Sequence, residues 1–540
     1  MPLKRRSLLV LPLILLVCSV LGGIYGSRIQ VASAASTADG LSSDVQNFTK
    51  AYALVEQNFA DPVSSDKAVY KGAIPEMLRT LDPHSNFFDP KEYQSLRDDQ
   101  RGHYYGVGML VGTRSGKTVV MAPFPGSPAY KAGLRPGDTI AFVNDKPTDN
   151  LNSTEIADLL KGPRGTQVKI GVVREGSAEP LSFLVIRDEV KRPSVPDAFW
   201  VKPGIAFVKV TSFNETTGRE LDDNLKRLGE NNVKGLVLDL RENPGGLLME
   251  GIAVADHFLQ KGQTVVSSKG RNSPEKAYIA RVGNKGHDYP IVVLVNKYSA
   301  SAAEIVSGAL QDHDRAWILG ETTFGKGLVQ TVYPLSENTG LALTTAHYYT
   351  PSGRLIQRDY SNLSFYDYYN HKDENARNLS DVKMTDSGRT VYGGGGITPD
   401  EKFEPATLDA FELDLVRKSA FFNFTRHYFA SHDTNLPKGW MPDDVTLNDF
   451  HDYLLQHSYS FTEAQFTTDR DWVKRSLAIE MYITGFNKDE SDRVAAQTDP
   501  EVERAIDSMP KARALLETAK KIIVQRMSSQ QPQAASLATH

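Results

Sequence analysis

Cysteine is almost absent: Cys18 is the one thiol in 540 residues. A single thiol closes no internal disulfide and builds no cysteine-ligated metal site. An excess of one charge is also lacking. With 61 Lys and Arg against 66 Asp and Glu, the net charge of −5 gives no basic surplus that would point to nucleic acid. No internal repeat is found. Hydrophobic residues make up 40% and charged residues 24%, which does not suit a disordered, collagen-like or multi-span membrane chain. What is present is ordinary globular chemistry, and at about 100–200 residues per domain it makes three or four folding units.

One apolar run stands out. Lys4, Arg5 and Arg6 precede Leu8 to Tyr25, which is almost wholly apolar. A positive flank before an apolar stretch is the export-signal pattern, and Ala32-Ser33-Ala34 offers a small-x-small cleavage site. The run also approaches the roughly 20 residues that span a bilayer. An uncleaved membrane anchor through residues 7–26, with Lys4 to Arg6 on the cytoplasmic side, is therefore the competing reading. Either way residues 1–35 are an address. The expected location is a bacterial-type periplasm or the outer face of the inner membrane. Val17 is too large for a lipid-anchor site at Cys18. Because Cys18 lies in this segment, the rest of the chain has no thiol nucleophile.

The remainder divides by pattern. Region 41–100 reads as helical, with Val45, Phe48, Tyr52, Val55 and Phe59 on one stripe and Tyr70, Ala73, Ile74, Met77 and Leu81 on another. These stripes are expected to be buried. Asp82-Pro83-His84-Ser85 ends the region as a turn. Over 102–190 the pattern changes to short strands with one helix, Thr154 to Leu160. From 191 to 405 strands and helices alternate, and strands at Ile205–Val210, Gly235–Leu240 and Ile291–Val295 indicate a parallel α/β layer. Residues 360–392 are polar, aromatic and aperiodic, and are expected as a long loop. Region 406–527 is helical. Leu408, Phe411, Leu415, Phe422 and Phe429 form one stripe, and a last helix from Pro500 to Met527 should be kinked by Pro510. Residues 528–540 are expected to form a flexible tail.

Two stretches carry chemistry. Tyr105-Gly106-Val107-Gly108-Met109 lies before the first strand of the β module, and its glycines let backbone N–H groups converge in a nest that suits a carboxylate. Further on, Asn296-Lys297-Tyr298-Ser299-Ala300-Ser301-Ala302-Ala303-Glu304 follows a buried strand and opens a helix. A serine at that helix N-terminus is either a nucleophile or a cap. Phe324-Gly325-Lys326-Gly327 holds a lysine between glycines ahead of an apolar strand, with Gln330 beyond it. Burial would lower the pKa of such a lysine and make it a general base; the alternative is a solvated loop lysine. Gly320, Gly325 and Lys326 also fit G-x-x-x-x-G-K, but Gly327 stands where a phosphate-binding loop needs Ser or Thr.

Pro125-Gly126-Ser127-Pro128-Ala129 and Ala132-Gly133-Leu134-Arg135-Pro136-Gly137-Asp138 resemble PDZ domains. The strings around Ser301 and Lys326 resemble the C-terminal processing (tail-specific) serine proteases. So do Asp239-Leu240-Arg241-Glu242-Asn243-Pro244-Gly245-Gly246, Tyr349-Thr350-Pro351-Ser352-Gly353-Arg354 and Gly395-Gly396-Ile397-Thr398-Pro399-Asp400. The resemblance covers about 40–405. It implies a multidomain α/β fold: a crotonase-like protease core, an inserted PDZ-like β module and flanking helical regions. It implies Ser301 as nucleophile, Lys326 as base and Gln330 as the group orienting the lysine. Backbone N–H groups of Ala302 and of Gly245 or Gly246, with Gly246 preferred, would hold the oxyanion. Tyr105 to Met109 would take a peptide C-terminus. No metal or organic cofactor is expected. The implied partners are proteins or peptides with exposed apolar C-termini, with no nucleic acid; an oligomer is compatible with the sequence.

Two other readings compete. A Ser–His hydrolase would use His257 or His347, because His313 sits at the far end of the Ser301 helix, about 18 Å away. A non-catalytic extracytoplasmic PDZ adaptor would bind tails on a dead core.

Overall fold

The computed structural model describes residues 38–64, 66–114, 116–361, 363–370 and 378–530. The address segment 1–35 and residues 531–540 of the expected tail lie outside the described residues. The chain divides into two units, one ending at Met77 and one beginning at Leu78.

In the first unit the helix Ala38–Asn58 and the π-helical stretch Asp66–Ala73 form where the stripes place them. The expected burial does not follow. Val45, Phe48, Val55, Phe59 and Met77 are all at least half exposed. A stripe marks the face that gains from cover, but it does not supply the cover.

In the second unit an antiparallel sheet runs Met109–Arg114, Lys117–Pro123, Thr139–Val143, Gln167–Val173, Leu181–Ile186. Burial alternates along Gln167–Val173, as a one-sided sheet requires. The covering helix Ser153–Leu160 is started by a capping box between Asn152 and Glu155. Ile156 and Leu160 pack on Val120, Ile140, Val168 and Ile170. Met109–Arg114 is an edge strand of this sheet.

A six-stranded sheet forms the α/β core, in the order Asp197–Lys202, Ile205–Lys209, Gly235–Asp239, Ile291–Val295, Trp317–Gly320, Glu401–Lys402. The first pair is antiparallel and the rest are parallel. Gly235–Asp239 and Ile291–Val295 are buried at every residue, because both sheet faces are covered. The helices Thr217–Leu228, Leu248–Phe258 and Ala302–Asp312 pack on one face. Val502, Ala505, Met509 and Ala512 of the C-terminal helices pack on the other. A second sheet joins Asn86–Phe88, Gly340–Tyr349, Thr264–Gly270 and Ser273–Ile279, with Leu328–Pro334 paired to Gly340–Tyr349.

Three expectations are corrected. Residues 360–392 are not one loop: they contain the helix Phe365–Asn370 and the hairpin Asn378–Met384 with Thr390–Gly393. Ion pairs rather than apolar period anchor the hairpin, with Arg389 bridging Asp314 and Asp400 and His313 facing Asp386. The stripe from Leu408 to Phe429 is two helices, Ala410–Arg417 and Ala420–Ser431, broken at Ser419 with φ 53. Pro510 does not kink a single helix. Pro500–Asp507 and Met509–Gln530 meet at Ser508, and Pro510 sits in the first turn of the second, where its missing N–H costs nothing. The helical region also has a core of its own around Phe411, Phe424, Phe450 and Leu477.

Candidate active site

Loops leaving the C-terminal ends of two parallel strands meet at the site, the usual place for chemistry on such sheets. After Ile291–Val295 the chain turns tightly. The Ser299 hydroxyl accepts the Asn296 N–H (2.9 Å) and donates to the Leu240 carbonyl (2.8 Å), fixing this turn to the neighbouring strand end. Ser301 then takes φ 53, ψ −113 immediately before the helix Ala302–Asp312. A positive φ on a residue with a Cβ costs about 1–3 kcal/mol and is kept only where the surroundings impose it.

The imposing group is Glu304. It is fully buried. Its Oε2 accepts the N–H groups of Ser301 (2.8 Å) and Lys326 (2.9 Å). Its Oε1 accepts the Thr323 hydroxyl (2.5 Å) and the Gly325 N–H (2.7 Å). Burial raises the Glu304 pKa, and the four donors work against that rise. Tyr348 adds a second tie, because its hydroxyl lies against the carbonyls of both Ser301 and Lys326.

Lys326 Nζ donates to Gln330 Oε1 at 3.0 Å. Desolvation lowers the lysine pKa, partly offset by the charges of Glu304 and Asp82. Gln330 Nε2 donates to the His84 carbonyl. The strand register shifts between Val329 and Gln330, and such a bulge re-aims the glutamine. Ser301, Lys326, Gln330, Gly245, Gly246 and Tyr348 line one cavity of about 660 Å³ with apolar walls from Ile305, Leu328, Val329 and Ala342. Among the described residues no hydrogen bond joins Ser301 Oγ to Lys326 Nζ, although both line the same cavity. No histidine lines that cavity. His257 instead faces Glu230, and His313 is held by Asp386 and the Thr264 carbonyl.

The glycines separate. Gly245 donates its N–H to Asn243 Oδ1 (2.8 Å). Around Gly246, Phe213 N–H bonds Gly245 O and Leu247 N–H bonds Phe213 O, which leaves the Gly246 N–H uncommitted among the described residues. A Cβ on Gly245 would stand 2.7 Å from both Ser301 Cβ and the Ala300 carbonyl, at φ +95. The space beside the serine therefore exists only with glycine there. Ala302 is the first residue of its helix, and N–H groups at that position have no intrahelical acceptor.

Tyr105 to Met109 lie elsewhere, outside the cavity lining. Gly106 to Met109 are buried and Tyr105 is exposed. The Gly108 carbonyl accepts the Ser127 hydroxyl (2.6 Å) and the Phe124 N–H (3.0 Å). Against expectation, Tyr105 and Gly106 do not precede the first strand but end the strand His103–Gly106, which pairs with Asp188–Lys191. Only Val107 and Gly108 link it to the edge strand Met109–Arg114, and an unpaired edge can take an added strand.

Four groups escape a reading of motifs alone. Glu304 and Arg241 stand inside the quoted strings without a role, and Tyr348 lies one residue outside. Asp82 to Ser85 read only as a turn. Arg241 bonds the buried Asp239 through two nitrogens and also pairs with Asp499 and Glu501, so it ties the Gly245-Gly246 loop to the C-terminal helices. What these groups share is a hydrogen bond or ion pair to residues distant in the chain, and a sequence does not print it. Among the described residues no cluster of three or more His, Cys, Asp or Glu could hold a metal ion, and no helix is long and apolar enough to cross a membrane.

Comparison with known proteins places the same two modules on this chain. Residues 204–361 match the model of peptidase family S41, and 119–174 match a PDZ domain. The carboxy-terminal-processing protease of Bartonella bacilliformis is 40% identical over 300 residues, covering 55% of this chain and 68% of its own. The carboxyl-terminal-processing protease of Synechocystis is 36% identical over 311 residues, covering 56% and 72%. Among solved structures, a photosystem II D1 C-terminal processing protease is 28% identical with a TM-score of 0.35, over 67% of this chain and 88% of that one.

Proposed function

The chain belongs to the carboxy-terminal-processing proteases of peptidase family S41 and is a serine-type peptidase with a PDZ domain, and from that premise we propose that it cleaves tailed proteins with Ser301 and Lys326 as a dyad. The carrying observation is the desolvated lysine beside the serine: both line one cavity, and burial favours the neutral amine.

Neutral Lys326 takes the Ser301 Oγ proton as Oγ attacks the scissile carbonyl. The uncommitted N–H groups of Gly246 and Ala302 stabilise the oxyanion, at roughly 2.7–4 kcal/mol per donor. The intermediate collapses, the Lys326 ammonium protonates the leaving amine, and an acyl-enzyme on Ser301 remains. Water attacks the ester carbonyl as Lys326 takes its proton. When this second tetrahedral intermediate collapses, the Lys326 ammonium returns the proton to the leaving Ser301 Oγ, freeing a product with a new C-terminus. Gln330 Oε1 directs the amine throughout. The Ser301–Lys326 contact has to close when substrate enters, as catalytic hydrogen bonds commonly do.

An extended apolar C-terminus would pair with the edge strand Met109–Arg114, its carboxylate against Tyr105 to Met109. The finer fold assignment, a crotonase-like core, has support in the parallel sheet, the nucleophile at a helix N-terminus and the second sheet, whose strand Leu328–Pro334 carries Gln330 and follows directly on the Lys326 loop. Export, with residues 1–35 removed or kept as an anchor, has its support in Lys4 to Arg6 and the apolar run after them. The test is hydrolysis of a protein with an apolar C-terminal tail. Wild type cleaves it, while Ser301→Ala and Lys326→Ala do not; cleavage by Ser301→Ala at the wild-type rate would refute the dyad, and a wild type that cleaves no tailed substrate, with Ser301→Ala behaving identically, would leave the adaptor reading.

A further inference from the structure

The amide of Gln330 has two chemically different ends, and one of them alone can serve the lysine. Oε1 accepts a hydrogen bond from Nζ and leaves the lone pair of the neutral amine free. Nε2 turned to the same place would oppose an ammonium donor to donor, or would donate to the lone pair of the neutral amine and occupy the electrons that must take the serine proton. Nothing within the amide fixes that choice; its partners do. The partner at the far end is the backbone carbonyl of His84, which can only accept. It therefore holds the nitrogen end and leaves Oε1 facing Lys326.

The carbonyl has a support of its own. Asp82 is 6% exposed. Its Oδ1 accepts the N–H groups of His84 (2.7 Å) and Ser85 (2.8 Å), and its Oδ2 accepts the Ser85 hydroxyl (2.6 Å). This is an Asx-type turn, in which a side chain replaces a backbone acceptor. The Ser85 hydroxyl oxygen also accepts the Thr344 N–H (3.1 Å). Thr344 is the strand partner of Gln330, so the turn is tied to the rung from which Gln330 projects. Beyond the turn, the His84 ring lies against the hydroxyls of Tyr368 (2.9 Å) and Tyr369 (3.2 Å). Burial lowers its pKa to about 3, so the ring adds no charge beside the lysine.

We propose that Asp82 is a positioning residue for peptide hydrolysis: it holds the His84 carbonyl against Gln330 Nε2, which fixes the amide end that faces Lys326 and hence the direction of the lysine lone pair. This rests on Ser301 and Lys326 being the reacting pair. The carboxylate touches neither of them. It acts through one carbonyl and one amide.

The experiment is steady-state cleavage of a protein with an apolar C-terminal tail, with melting curves for every variant. Asp82→Ala should lower kcat about 10- to 100-fold and leave KM within about twofold, because tail binding is elsewhere. Asp82→Asn keeps an acceptor for both N–H groups and should hold kcat within about threefold of wild type. Ser85→Ala, which deletes one hydroxyl, should fall between the two and carries the test with Asp82→Asn if Asp82→Ala does not fold. Wild-type kcat in Asp82→Ala or in Ser85→Ala overturns the proposal. So does an Asp82→Asn variant as slow as Ser85→Ala or slower, or a loss confined to KM. Lys326→Ala in the same assay separates the premises: if it is active the reacting pair itself is wrong, whereas an inactive Lys326→Ala beside a fully active Asp82→Ala removes the positioning role alone.

Discussion

Ser301 and Lys326 are tied through a single oxygen atom. Both donate their backbone N–H to Glu304 Oε2, at 2.8 and 2.9 Å. The loop of the nucleophile and the loop of the base thus share one buried acceptor, and neither can move far without the other.

Glu304→Gln tests that tie. The carboxylate accepts at both oxygens, so an amide must turn its NH2 towards either the Ser301 and Lys326 N–H pair or the Thr323 and Gly325 pair. Donors would then face donors in a buried place, at about 1–3 kcal/mol for each unsatisfied group. The expected outcome is a loss of about 2–4 kcal/mol in denaturant unfolding, together with a fall in kcat. Wild-type stability in Glu304→Gln would show that the four bonds do not hold the loops.

Gln330→Glu puts a carboxylate where a neutral oxygen now faces Lys326 Nζ. A neighbouring negative charge favours the ammonium and raises the lysine pKa. The acid limb of the rate profile should therefore move to higher pH, with activity partly recovered in alkaline buffer. A limb that stays in place would detach Gln330 from the lysine.

Gly108→Ala probes the tail-binding loop. Gly108 has φ +77, and a Cβ there would stand 2.5 Å from Ser127 Cβ. The loop must distort. Fluorescence anisotropy with an apolar C-terminal peptide should show binding weakened by about tenfold or more, equal to about 1.4 kcal/mol. The expected kinetic counterpart is a higher KM for tailed substrates with kcat little changed. Unaltered peptide affinity would place recognition elsewhere.

Much of this arrangement is legible in the residues before any coordinates. The strand Ile291–Val295, the helix after Ser301 and the glycines around Lys326 carry local signals: apolar runs, helix starts and turn residues. The same holds for the strands of the PDZ-like module and its helix Ser153–Leu160. The pattern predicts one helix there, but the structure has a second, the short Pro128–Ala132 capped by Ser127. What is not legible is which groups meet across long separations. Asp82 to Ser85 has the signature of a turn, and nothing local says that its carbonyl meets Gln330. The hairpin near residue 385 lacks apolar alternation because ion pairs to Asp314 and Asp400 anchor it. The helix stripe at Val45 to Phe59 has the opposite fault, since its period is clear and its burial does not follow.

The most direct test of the central claim is the pH dependence of kcat/KM on a tailed substrate, with wild type beside lysine and histidine variants. Burial lowers the Lys326 pKa below its ordinary 10.5. Because the amine must be neutral to act, the rate should rise with pH through that lowered value. In the window between it and 10.5 the unfolded chain keeps a proton that the folded chain has released, so stability also rises with pH there. The account predicts one acid limb governed by Lys326, no activity in Lys326→Arg at any pH, and unchanged limbs in His257→Ala and His347→Ala. An essential group near about 6.5 that disappears with either histidine, while Lys326→Arg stays active, would contradict it.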